Sequence, residues 1–276
     1  MQDPSIISPQ WLVNHLNDEN LVIIDCRFRL ATPQWGYQQY LISHIPGAFY
    51  LDLDRDLSSP IGKHGGRHPL PNPETLAPKL ESLGITWGKT FVVAYDDFRF
   101  AFASRLWWLL RYFGHFQVAL LDGGWNGWTK EGYPVTDQLI TPKPGQFMPQ
   151  LQSDWIVDIN TVKEKKDLPS VTLIDSRAGE RYRGEYEPTD PVAGHIPGAV
   201  NAFWERVSDE QGYFRPLEEQ KPLWSPYQDS SELILYCGSG VTACVNLLSL
   251  EMLGYKNTKL YPGGWSDWCS YVVDNS

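Results

Sequence analysis

His44-Ile45-Pro46-Gly47-Ala48 returns as His195-Ile196-Pro197-Gly198-Ala199, 151 residues further along the chain. An apolar run ending in an acid and an arginine precedes each copy. The first is Val22-Ile23-Ile24-Asp25-Cys26-Arg27 and the second Thr172-Leu173-Ile174-Asp175-Ser176-Arg177. After each copy come another apolar run, an amphipathic stretch and a Gly-Gly-Trp segment: Asp122-Gly123-Gly124-Trp125-Asn126-Gly127-Trp128, then Pro262-Gly263-Gly264-Trp265-Ser266-Asp267-Trp268. Order is kept while spacing drifts, which is the signature of a tandem duplication. Within each copy, short unbroken apolar strands such as Phe91-Val92-Val93-Ala94-Tyr95 and Leu233-Ile234-Leu235-Tyr236 alternate with helical stretches. Strands of that kind are buried on both sides, so each copy is expected to be an α/β domain, a parallel sheet covered by helices on both faces. The stretch Pro134–Pro149 is rich in Pro, Gly and polar residues without periodicity. We therefore expect a first domain at 1–134, a linker at 135–152 and a second domain at 153–276.

Catalytic loops of parallel sheets lie at the carboxyl ends of the strands. There the second copy reads Tyr236-Cys237-Gly238-Ser239-Gly240-Val241-Thr242-Ala243-Cys244. A strand end, a cysteine, a glycine-rich turn and an apolar helix place unpaired N–H groups around the sulfur, and these favour thiolate over thiol. A cysteine at a strand end is commonly a small buried hydrophobe. Such a filler needs neither the two glycines nor the helix that opens after Val241-Thr242, so Cys237 reads as a nucleophile. Cysteine-dependent phosphatases close a similar cradle with an arginine six residues after the cysteine. That position is Ala243, and a phosphate dianion would lack its bidentate partner. Aligning Tyr95 with Tyr236 sets Asp96 opposite Cys237, so the first copy has kept the fold and lost the nucleophile.

The chain of 276 residues is 42% hydrophobic and 20% charged, which is a globular composition, and its net charge is −10. No basic stripe is present to offset phosphate repulsion, so nucleic acid is not expected as a partner. An anionic substrate must be drawn by a local positive site. Met1-Gln2-Asp3-Pro4-Ser5 has neither a basic region nor a long apolar stretch, and no run approaches a membrane span, so neither a signal peptide nor a membrane partner is expected. Cys26, Cys237, Cys244 and Cys269 form no disulfide framework and no Cys-x-x-Cys pair, and the six histidines form no cluster. A reducing, cytoplasmic setting with no metal and no cofactor is expected. The twelve tryptophans read as packing residues.

These motifs resemble the tandem-domain rhodanese and 3-mercaptopyruvate sulfurtransferase family over nearly the whole chain. The resemblance rests on both His-Ile-Pro-Gly-Ala segments, both Gly-Gly-Trp segments and the Cys237–Thr242 loop. It implies a catalytically silent first domain and a second domain whose Cys237 takes sulfur from a small-molecule donor as a persulfide. A thiol or cyanide then accepts that sulfur, with a thiol-bearing protein as a further candidate acceptor. Donor contacts are expected from Gly238, Gly240, Val241 and Thr242 of the loop and from Arg181, which matches the family's substrate-binding arginine, with Arg183 sharing that role or pairing at the surface. The neutral Gly238 and Ser239 resemble the mercaptopyruvate branch, since thiosulfate-preferring relatives carry basic residues there. That branch usually adds a second arginine after Arg183-Gly184. Glu185-Tyr186-Glu187-Pro188-Thr189-Asp190-Pro191 contains none, so thiosulfate stays open as donor. Some relatives use an Asp–His–Ser relay, for which the candidates are Asp54, His68 and Ser239. The competing class is a non-enzymatic persulfide carrier. His44 and His195 occur in both copies and are expected to hold strand–loop junctions. Cys244 is expected to be a buried helix residue.

Overall fold

The computed structural model describes residues 4–274, and every strand in its two sheets pairs in parallel. The first unit runs β1 (Ile6–Ile7), α1 (Pro9–His15), β2 (Leu21–Asp25), α2 (Gln34–Ile42), β3 (Ala48–Tyr50), α3 (Pro73–Ser82), β4 (Phe91–Tyr95), α4 (Ala103–Tyr112), β5 (Val118–Leu121) and α5 (Gly124–Lys130). Its sheet order is β1-β5-β4-β2-β3. The second runs α6 (Ile159–Lys165), β6 (Val171–Asp175), α7 (Gly179–Tyr182), β7 (Val200–Asn201), α8 (Leu217–Trp224), β8 (Glu232–Tyr236), α9 (Ala243–Met252), β9 (Thr258–Leu260) and α10 (Gly264–Asp274), with order β7-β6-β8-β9. Among the described residues, no helix is long and apolar enough to cross a membrane.

Alternation along each strand feeds two layers. In the second unit Leu173, Ile234 and Tyr236 pack with Ile159 and Val162 of α6 and with Trp265 and Cys269 of α10. The intervening Leu233 and Leu235 are also buried, and α9 packs against β8 and β9. In the first unit Ile23, Val93 and Tyr95 pack with Leu12 of α1 and Trp128 of α5, while α4 packs against β4 and β5 and is buried along its whole length. Both faces of each sheet are covered, as the unbroken apolar strands predict. Ser8 and Asp158, at matching places, cap α1 and α6 by accepting from the N–H groups of Trp11 and Thr161.

The three repeated motifs turn out to be one structural device. Asp25 pairs side by side with Tyr95 across β2 and β4, as Asp175 does with Tyr236 across β6 and β8. Each aspartate holds the arginine two residues on: Arg27 Nη2 lies 2.6 Å from Asp25 Oδ2, and Arg177 Nη2 2.6 Å from Asp175 Oδ2. Those buried guanidinia also donate to the carbonyls of Ser43 and Gly194, just before the two histidines. The tyrosine hydroxyls accept from Ile45 N–H and Ile196 N–H, and Gly47 and Gly198 sit at φ +81° and +89°. Trp125 and Trp265 lie under the guanidinia of Arg27 and Arg177, at 4.1 and 4.9 Å from ring centre to Cζ. His44 and His195 bond through Nδ1 to the carbonyls of Tyr40 and Tyr182. The matched pairs therefore tie strand ends to loops in both units.

Two findings go beyond the boundaries expected from the sequence. Pro60–Leu70 groups with the second unit and Ser208–Phe214 with the first. Residues 135–152, expected as a linker, are bonded along the first unit: Thr136 bridges His44, Gly145 N–H donates to the Glu81 carbonyl, Gln150 N–H to the Phe113 carbonyl, and Phe147 is buried.

Candidate active site

Cys237 follows β8 directly and lies buried at its carboxyl end, and five residues, 238–242, carry the chain from it into α9. The loop is held from below by the Gly263-Gly264-Trp265 turn. Trp265 N–H donates to the Cys237 carbonyl at 2.9 Å, and Ser266 N–H to the Gly238 carbonyl at 2.9 Å. Gly264, at φ +61°, comes so close that a Cβ there would lie 2.6 Å from the Cys237 oxygen. Gly240, at φ +70°, would set a Cβ 2.4 Å from the Pro262 oxygen. Both glycines are demanded by left-handed backbone and close approach together. Among the described residues, the N–H groups of Ser239, Val241 and Thr242 donate to no backbone oxygen. They are thus left for an anion at the mouth of α9.

The first unit shows where such N–H groups point when the loop fills itself. Asp96, opposite Cys237, accepts from Phe98 and Phe100 N–H at one carboxylate oxygen and from Phe102 and Ala103 N–H at the other, at 2.8 to 3.1 Å. Burial pushes this carboxyl up to about 6 against the pull of the Ala103, Phe98 and Phe102 N–H groups. The side chain itself occupies the cradle. The other cysteines lie elsewhere in the core: burial pushes the Cys26 thiol up, and Cys269 up to about 12. Cys244 is buried in α9, its thiol 3.5 Å from the Gly240 carbonyl.

His68 and Ser239, both buried, share a hydrogen bond of 2.7 Å between Nδ1 and Oγ. His68 reaches the loop because Pro60–Leu70 is anchored within the second unit. Gly65 N–H donates to Asp267 Oδ1 at 2.7 Å, His64 bonds to Ser270 Oγ at 2.7 Å and stacks on Tyr271, and Gly66 at φ +80° packs against the Gly263 backbone. Asp54 belongs to the first unit, where its side chain is exposed and its N–H donates to Asp52 Oδ1 at 2.9 Å.

Arg181 lies beside the loop: a Cβ on Gly238 would be 3.7 and 3.8 Å from its two terminal nitrogens. Its guanidinium is steadied by Glu187 Oε1 at 2.7 Å, Thr189 Oγ1 at 2.9 Å and Asp190 Oδ2 at 3.4 Å. Burial works to raise the Glu187 carboxyl, and the hydrogen bonds from Arg181 and Thr189 outweigh it and hold it below the usual range. Arg183 is exposed and bound through both Nε and Nη2 to Glu185, so it pairs at the surface and not at the loop. The second guanidinium at Gly238 is that of Arg67, which the motif reading missed. Its Nη2 would lie 2.9 Å from a Gly238 Cβ. Only its adjacency to His68 in a glycine-rich, basic segment hinted at it.

The family model for the rhodanese-like domain matches residues 8–131 and again residues 158–271. A probable 3-mercaptopyruvate sulfurtransferase of Pseudomonas aeruginosa is 42% identical over 273 residues, which cover 97% of this chain and 96% of that protein. SseB of Mycobacterium tuberculosis, a putative thiosulfate sulfurtransferase, is 36% identical over 252 residues, 90% of this chain and 87% of its own. The crystal structure of SseA from Escherichia coli, a 3-mercaptopyruvate sulfotransferase of rhodanese fold, is similar with a TM-score of 0.82 at 32% identity, covering 96% of this chain and 100% of that one. With the duplicated motifs, both parallel sheets and both halves of the sequence agreeing, the chain belongs to the rhodanese family.

Proposed function

We propose that this chain is a sulfurtransferase that moves sulfur from 3-mercaptopyruvate to a thiol or cyanide through a persulfide on Cys237. The observation that carries the proposal is the Cys237 loop: a cysteine at a strand end, N–H groups at a helix mouth that have no backbone partner among the described residues, and the Arg181 guanidinium beside Gly238. Thiolate attacks the donor's sulfur, a sulfur–sulfur bond forms, and the carbon–sulfur bond breaks to leave the enolate of pyruvate. The proton carried by the donor's thiol ends on the pyruvate methyl, so the enzyme is left as a persulfide anion. An acceptor thiolate or cyanide then attacks the outer sulfur, and Cys237 departs as thiolate. The loop stabilises the anion in both halves through the N–H groups of Ser239, Val241 and Thr242, with Gly238 and Gly240 lining the donor site. The bonded pair His68 and Ser239, two members of the expected Asp54–His68–Ser239 relay, is suited to carrying a proton to the enolate.

The first unit is silent because Asp96 fills its cradle, and residues 153–276, joined by the Pro60–Leu70 segment that bears His68, carry the chemistry. Four cysteines without disulfides fit a reducing, cytoplasmic setting. Small thiols, and thiol-bearing proteins as well, are the acceptors. The test is steady-state sulfur transfer to cyanide and to dithiothreitol, with pyruvate release measured, in the wild type and in Cys237→Ala. Turnover with mercaptopyruvate that Cys237→Ala abolishes supports the proposal. A higher kcat/KM with thiosulfate replaces the donor, and persulfide formation without turnover on either acceptor leaves only a carrier.

A further inference from the structure

The stretch after Arg183 holds no second arginine, yet two guanidinia meet the residue next to Cys237. A Cβ on Gly238 would lie 2.9 Å from Arg67 Nη2 and 3.7 Å and 3.8 Å from Arg181 Nη2 and Nη1. Behind them stand two carboxylates that water scarcely reaches. Asp190, 2% exposed, takes Arg67 Nη1 on Oδ1 and lies within reach of Arg181 on Oδ2. Glu187, 3% exposed, takes Arg181 and Arg177. The arginines themselves are partly open, 27% and 21% exposed. Among the described residues, neither Arg67 Nη2 nor Arg181 Nη1 donates to a protein acceptor. Buried carboxylates thus fix the rear of each fork and leave one terminal nitrogen of each beside the loop. A planar carboxylate is the group that two such forks bind best.

We propose that Arg67 is a donor-binding, specificity-determining residue, whose Nη2 takes the carboxylate of an α-keto acid donor together with Nη1 of Arg181. This supplies from sequence position 67 the second arginine that the 185–191 stretch lacks. The glycines before it explain why it can. Gly65 and Gly66 stand at φ +99° and +80°, and Gly66 touches the Gly263 backbone, so the segment enters the loop region at a fixed height. The alternative role for Arg67 is structural, as counter-charge to buried Asp190, whose carboxyl burial pushes up and Arg67 draws back down.

The inference rests on Cys237 accepting sulfur from a carboxylate-bearing donor, and the experiment separates the two. Arg67→Gln and Arg67→Lys are assayed with 3-mercaptopyruvate, with pyruvate as inhibitor, and in discharge of preloaded persulfide to dithiothreitol. Arg67→Gln is expected to raise KM for mercaptopyruvate and the inhibition constant of pyruvate together, by roughly 10- to 100-fold, as for a lost charged hydrogen bond. Arg67→Lys recovers part of this, because it keeps the charge and loses the fork. Discharge to dithiothreitol involves no carboxylate and stays within about two-fold of wild type. An unchanged KM, or equal losses in loading, discharge and melting temperature, overturns the assignment. Should Arg67→Gln not fold, Gly238→Ala, which sets a methyl against Arg67 Nη2, is expected to raise the same two constants. No persulfide on the wild type overturns the underlying function instead.

Discussion

Replacing Gly240 by alanine puts the loop geometry to a quantitative test. At φ +70° an L-residue costs about 1–2 kcal/mol. The new Cβ would also stand 2.4 Å from the Pro262 oxygen and 2.8 Å from its Cα. Both are backbone atoms, so the loop or the Pro262–Gly264 turn must move. That turn is tied to the loop by the Trp265 and Ser266 N–H bonds to the Cys237 and Gly238 carbonyls. Loss of both adds about 1 kcal/mol each. The sum is about 3–4 kcal/mol, a fall in melting temperature on the order of 10 °C for a unit of this size. Gly238→Ala is the control. The nearest atom to its Cβ is the far end of the Arg67 side chain, at 2.9 Å, and the backbone there is not left-handed, so stability changes by no more than about 0.5 kcal/mol. Scanning calorimetry on both variants decides. A Gly240→Ala protein that melts within about 2 °C of wild type refutes the close approach of loop and turn.

His68→Ala removes the partner of Ser239 and is expected to lower kcat with mercaptopyruvate by at least about 100-fold. Its effect with thiosulfate, whose sulfite product needs no proton on carbon, is expected to be much smaller. Equal losses with both donors contradict a relay serving the enolate. His115 is fully buried and burial lowers it from 6.5 to about 4, so its folded form resists protonation. The unfolded chain takes up that proton first, and the stability this histidine contributes is lost as pH falls from about 6.5 through 4, by about 3 kcal/mol in all. Urea unfolding of wild type and His115→Gln at pH 7 and pH 4.5 checks it, the wild type losing more stability on acidification; parallel losses contradict it.

The duplicated motifs made the fold legible because each repeat carries a backbone-bonded device. Asp-x-Arg, His-Ile-Pro-Gly and Gly-Gly-Trp meet around one buried guanidinium in each unit, so their order could not drift. Cys237 stood out in the sequence because its loop carries Gly238 and Gly240 and leads into an apolar helix, and in the structure Gly240 sits at φ +70° against the Pro262 carbonyl. Arg67 was not legible. Its place at Gly238 depends on two left-handed glycines and on contacts with Asp267 and Ser270, some 200 residues later, and neither leaves a periodic signal. Arg183 stayed between donor contact and a surface ion pair, because a basic residue two positions from Arg181 suits either. The short α7 ends at Tyr182 and turns that side chain to Glu185 at the surface. The expected linker failed to look structured because its bonds to the first unit run through backbone groups, which composition does not report.

Intact mass after brief exposure to 3-mercaptopyruvate, with Cys237→Ala alongside, tests the persulfide most directly. A gain of one sulfur on the wild type alone, reversed by dithiothreitol, is the predicted result. A wild type that gains nothing from mercaptopyruvate or thiosulfate, or a Cys237→Ala protein that gains as much, contradicts it.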